Sequence, residues 1–109
     1  MNEQERLTGL LGMARRAGRL IAGFDAVKES LVGHRAQIVL LAADLSPKTE
    51  KELRFAAEGA TLRATGMTKE EIGHAIGHQK PVGVVATEDR GFAAAMKKAT
   101  DGLHEEDGI

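Results

Sequence analysis

The chain has no cysteine, no tryptophan and no tyrosine, and only two prolines. Without thiols, disulfides and thiolate metal sites are excluded, and cysteine usage is neutral about compartment. The aromatic complement is Phe24, Phe55 and Phe92 alone. Three scattered rings do not make the stacking platform on which many single-strand RNA binders lay their bases. No apolar run approaches the roughly 18 residues needed to cross a bilayer. Met1 to Arg6 are mostly polar and include two glutamates, unlike the basic-then-apolar start of a secretory signal. A cytoplasmic protein is the expectation. A strongly basic balance is missing too, since the net charge is −1.

What remains is a chain of 109 residues, 42% of them apolar, enough for one domain with its own core. All 15 lysines and arginines lie within residues 1–100 against 12 acids, so that part carries +3. Asp101, Glu105, Glu106 and Asp107 share residues 101–109 with two glycines, and a frayed acidic tail is expected there beyond a single domain at 1–100. A mildly basic body permits nucleic-acid binding without demanding it.

Periodicity gives an alternation of helices and strands. Leu7, Leu10, Leu11 and Ala14 share one helical face, with Arg15, Arg16 and Arg19 clustered at its end and Gly18 as its stop. A very short strand at Leu20–Ala22 leads to Gly23. The second helix turns Phe24, Val27 and Leu31 inwards and stops at Gly33. Ile38–Ala42 is a continuous apolar run, as in a strand covered on both faces. Ser46-Pro47 is a cap followed by proline at the first helical position, opening a helix that buries Leu53, Ala56 and Ala57. A short strand at Leu62–Ala64 follows. Thr68 to Glu71 has capping-box spacing and precedes Ile72, Ala75 and Ile76, with Gly77 closing the helix. Val82–Ala86 is a second buried strand, and the last helix turns Phe92, Ala95, Met96 and Ala99 inwards. Helices alternating with strands give an α/β class. The two strong strands are separated by helical segments, as crossover connections require, and the strand order is left open.

Few residues carry catalytic signals. His74 and His78 stand four apart, but Gly77 breaks the helix between them and no third ligand is evident, so a metal site is not expected. Asp44 and the Glu88-Asp89 pair follow the two strong strands, where open α/β sheets place ligands, which keeps a small magnesium-dependent hydrolase as one alternative. The plainer reading is that Asp44 and Asp89 cap the helices that follow. Ser30 and Ser46 lack a nucleophile-elbow setting, and Gly9, Gly12, Gly18 and Gly23 do not form a dinucleotide fingerprint. No enzyme and no cofactor are expected. Gly23 would let a ligand approach the backbone where a helix begins, with Lys28 about one turn in.

The run from Leu10 to Gly23, LLGMARRAGRLIAG, resembles the start of the bacterial branch of the ribosomal protein L-seven-Ae family. Further matches follow in order: Arg35 to Ala42 with Asp44 after it, Ile72-Gly73 with Ile76-Gly77, Val82 to Thr87, and Gly91-Phe92. The likeness covers about residues 7–100. It implies a three-layer α/β/α sandwich around a mixed four-stranded sheet, and a non-enzymatic protein of ribosomal type that binds kink-turn RNA. In that family the Gly-opened N-terminus of the second helix reads guanine edges, and the loop before the last strand covers an unstacked base.

By position, the first surface is Gly23, Phe24, Asp25 and Lys28, and the second is His78, Gln79, Lys80 and Pro81. The side chains depart from the archaeal pattern of Asn, Glu and a later Lys, whose places are taken by Asp25, Ala26 and Glu29. Asp25 lacks the amide donor of Asn, and Ala26 cannot accept a hydrogen bond from guanine. His78 and Lys80 replace apolar residues in the loop. The expected partner is therefore structured RNA, ribosomal RNA included, with Arg15, Arg16 and Arg19 adding phosphate contacts if they face the same side. The alternative is a protein-interaction module that kept the scaffold and lost specific RNA binding.

Overall fold

The computed structural model describes residues 2–104. The elements are α1 (Glu3–Arg16), β1 (Ile21–Ala22), α2 (Phe24–Val32), β2 (Ile38–Leu41), α3 (Pro47–Ala56), β3 (Thr61–Ala64), α4 (Lys69–Ala75), β4 (Val84–Thr87) and α5 (Arg90–His104). Local chemistry sets most helix starts. The Asn2 side chain accepts the Glu5 N–H at 2.8 Å, and Ser46 accepts the Thr49 N–H at 3.2 Å ahead of Pro47. Thr68 and Glu71 form the reciprocal capping box that their spacing predicts.

The four strands make one mixed sheet in the order β1-β4-β2-β3. β2 and β3 run parallel, joined through α3 as a crossover requires. β4 enters between β1 and β2 and is antiparallel to both. The two strong strands are thus neighbours but not a crossover pair. Buried apolar runs carry no information on strand direction, and a helical connection is compatible with either. Ala42, Val82 and Gly83 fall outside the strands, although the Ala42 N–H still bonds the Gly83 carbonyl at 2.9 Å.

Alternation along the strands divides the core into two layers. Ile38, Leu40 and Val85 pack with α1, α4 and α5 through Leu7, Leu11, Ile72 and Met96. Val39, Leu41, Val84 and Ala86 face α2 and α3 through Val27, Leu31 and Leu53. A sheet buried on both faces between helices is the α/β/α sandwich. Leu10, Phe24, Ala56, Ala75 and Phe92 line the margins of these clusters rather than their centres. Asp101, grouped by composition with the acidic tail, lies within α5 and pairs with Arg63 at 2.6 Å. Glu105, Glu106 and Asp107 lie outside the described residues. No helix among the described residues is long and apolar enough to cross a membrane.

Candidate nucleic-acid interface

Antiparallel insertion of β4 decides what the sheet presents at each end. Ala22 pairs with Val85, and one residue on the Gly23 N–H donates to the Val84 carbonyl at 2.9 Å. The start of α2 and the approach to β4 are thereby joined by a backbone bond. Gly23 has φ 98° and ψ 154°, a region that only glycine enters without strain, so the abrupt turn from strand into helix depends on it. Its carbonyl accepts the Val27 N–H at 3.1 Å and begins the helical ladder. No side chain caps α2. Side-chain oxygens cap α1, α3 and α4, and Asp89 accepts the Phe92 N–H of α5 at 2.8 Å. The first amides of α2 are therefore open to an external acceptor at the positive end of the helix dipole.

The loop before β4 is braced from behind by α4. The His78 N–H bonds the Gly73 carbonyl at 2.8 Å, and the Val82 N–H bonds the Lys69 carbonyl at 2.9 Å. Gly73 lies so close that a Cβ there would come 2.5 Å from the Lys80 carbonyl oxygen. Asp44 in turn accepts the Lys69 N–H at 2.8 Å. His78, Gln79, Lys80 and Pro81 all stand exposed on this scaffold. At the start of α2, Asp25 and Ala26 are exposed, while Phe24 is partly buried against the α2–α3 core. The Lys28 ammonium lies 5.6 Å from the Phe24 ring centroid and 3.9 Å from Glu52.

A model of the ribosomal protein L7Ae/L30e/S12e/Gadd45 family matches residues 5–97. The chain belongs to this family. Relatives of this L7Ae-family chain include the RNA-binding protein YlxQ of Enterococcus faecium, 32% identical over 94% of the chain and all of the relative. YlxQ of Bacillus subtilis is 34% identical over 84% of the chain and 92% of the relative. Among solved structures, a Bacillus halodurans protein of unknown function superposes with a TM-score of 0.79 at 27% identity, covering 87% of this chain and 96% of that one. The Giardia lamblia 15.5kD RNA binding protein shares the fold, with a TM-score of 0.75 at 17% identity, over 94% of this chain and 88% of that one.

The remaining candidates of the L7Ae-family chain separate cleanly. Because β4 runs against β2, Asp44 and Glu88-Asp89 leave the sheet at opposite ends, at least about 10 Å apart by strand rise. They cannot form an acid pair. Asp89 caps α5 as expected, whereas Asp44 caps α4 instead of the next helix, α3, which Ser46 caps. Glu88 accepts hydrogen bonds from Ser30 at 2.7 Å and Arg35 at 3.2 Å. α4 ends at Ala75, so His74 and His78 share no helical face, and no group of three potential ligands converges among the described residues. Arg15, Arg16 and Arg19 are exposed. The Arg19 carbonyl accepts the Thr87 hydroxyl at 2.6 Å, at the end of β4 remote from Gly23. The bracing role of Gly73 has no local pattern in the sequence, since helix interiors disfavour glycine and only a close backbone neighbour explains one.

Proposed function

We propose that this chain is a non-enzymatic, cytoplasmic RNA-binding protein that recognises structured, kink-turn-like RNA, with ribosomal RNA as its natural class. The N-terminus of α2 and the loop of His78 to Pro81 form one surface for it. The observation that carries this reading is the Gly23–Val84 backbone bond, which ties the uncapped start of α2 to the first residue of β4, three residues beyond the exposed loop. Open amides at a helix start donate to phosphate or base acceptors, and Lys28 and Lys80 add charge. Membership of the L7Ae family and the RNA-binding relatives support the same conclusion. Asp25 and Ala26, where the archaeal pattern has Asn and Glu, put more of the recognition on backbone groups.

The test is a titration of fluorescent kink-turn RNA at several salt concentrations, with a plain duplex as control. Salt-sensitive binding that prefers the kink is expected. Charge reversal at both Lys28 and Lys80 should weaken it and lower the salt slope by about 1.5, roughly 0.7–0.9 for each phosphate no longer neutralised. Unchanged affinity in that double variant would overturn the surface. Equal, weak binding to both RNAs would instead favour the protein-interaction alternative.

A further inference from the structure

Phe55 is the most exposed of the large apolar residues among those described, at 89%. It lies in the last turn of α3, on the side opposite the buried Leu53. Lys48, Lys51 and Phe55 recur at i, i+3 and i+7 and so share one helical face. With Lys28, Glu52 and Ala56 they line a shallow depression of about 320 Å³ whose floor is mainly apolar. Glu52 is the acid in this group and is directed to Lys28. Lys48 and Lys51 have no acidic partner within 4 Å among the described residues.

We propose that this depression is a second RNA subsite, taking a single-stranded segment that continues from the folded RNA, with one base stacked on Phe55 and its phosphates beside Lys48 and Lys51. The inference rests on the RNA-binding reading above. Two features select this occupant. The depression is continuous with the proposed interface, because Lys28 belongs to both. A lone ring surrounded by lysines also matches the pairing of stacking with backbone charge in single-strand binding, whereas protein interfaces deplete lysine at their centres. One ring serves one base, so the scarcity of aromatics in the chain is no obstacle to a single stacked position. Phe55 is eight residues beyond Pro47, about 12 Å along the helix from the end that carries the main surface. The strand must therefore leave the duplex before reaching the ring.

The experiment uses the full chain with a kink-turn and a plain duplex, each blunt or with a single-stranded overhang of about six nucleotides carrying 2-aminopurine. The 5′ and 3′ overhangs are tested separately. The protein has no tryptophan or tyrosine to interfere with the probe. One overhang should raise affinity by about 5- to 100-fold and quench 2-aminopurine on binding. Phe55→Ala and Phe55→Leu should remove both effects without altering blunt kink-turn binding, and Phe55→Trp should keep them. Lys48→Glu with Lys51→Glu should reduce the gain at low salt. If neither overhang raises affinity, or if Phe55→Ala keeps the gain, the subsite is overturned. Blunt kink-turn affinity reports on the main surface alone. Should that binding fail, the overhang gain on the plain duplex still decides the role of Phe55.

Discussion

Gly73 offers a direct test of whether α4 holds the loop before β4, the second part of the proposed RNA surface. An alanine Cβ there would meet the Lys80 carbonyl oxygen at 2.5 Å, and the Lys80 carbonyl carbon and Pro81 Cα at 3.4 Å. Comfortable contacts lie near 3.5–4.0 Å, so helix and loop must part by about 1 Å. Two terms oppose one another. Replacing glycine by alanine inside a helix favours folding by about 0.8–1.0 kcal/mol. Overpacking against backbone that cannot rotate away costs about 1–3 kcal/mol. The net expectation for Gly73→Ala is a destabilisation of roughly 0–2 kcal/mol. The comparison is Gly9→Ala in α1, where an added Cβ has nothing within 4 Å. That variant should gain about 0.8–1.0 kcal/mol, leaving the two substitutions about 1–3 kcal/mol apart. Urea unfolding followed by far-ultraviolet circular dichroism is the assay, since there is no tryptophan to report by fluorescence. Kink-turn affinity is measured alongside and should fall only for Gly73→Ala. If Gly73→Ala is as stabilising as Gly9→Ala and binds RNA normally, the loop is not braced by α4.

Two further substitutions probe the same architecture. Gly23→Ala must adopt φ near +98° and should lose about 1–3 kcal/mol in a urea melt, with a loss of RNA affinity that persists where the variant is fully folded. Wild-type affinity in folded Gly23→Ala would separate the turn from recognition. Leu53→Ala removes the one fully buried side chain of α3 and should cost about 2–5 kcal/mol, read as a lower urea midpoint at unchanged slope. A loss below about 1 kcal/mol would mean that α3 is held elsewhere than through the α2–α3 core.

The elements were legible because their signals are local. Leu7, Leu11 and Ala14 repeat at helical spacing, Thr68 and Glu71 cap each other, and Ile38 to Leu41 has no polar member to turn towards water. β4 was visible as a strand but not in its direction, because Val84 to Thr87 is buried on both faces whichever way it runs. The candidate surface at Gly23 and His78 to Pro81 came from a family resemblance, and residue spacing alone would have left Gly23 as an ordinary turn. Asp44 shows the limit of local reading. Its position after a strand predicts a cap on the following helix, but Ser46 already serves that helix and Asp44 reaches across to Lys69. Phe55 has the opposite difficulty. Its residue type points to the core, and only the position of Leu53 two residues earlier turns it outwards.

The reversal of β4 links these results. In an open parallel sheet the carboxyl ends of the strands gather at one edge, and that rule draws attention to Asp44 and Glu88-Asp89. Here one central strand is inverted, so those acids are parted and each is engaged by helix amides or by Ser30 and Arg35. The same inversion brings the start of β4, not its end, level with the start of α2. Two segments about 55 residues apart in sequence thereby form one edge, with a helix dipole on one side and a braced loop on the other. This edge keeps Asp44 apart from Glu88-Asp89 and engages it with the Lys69 N–H. It holds fixed donors and flanking lysines, which is what the proposed contact with a folded phosphate backbone requires.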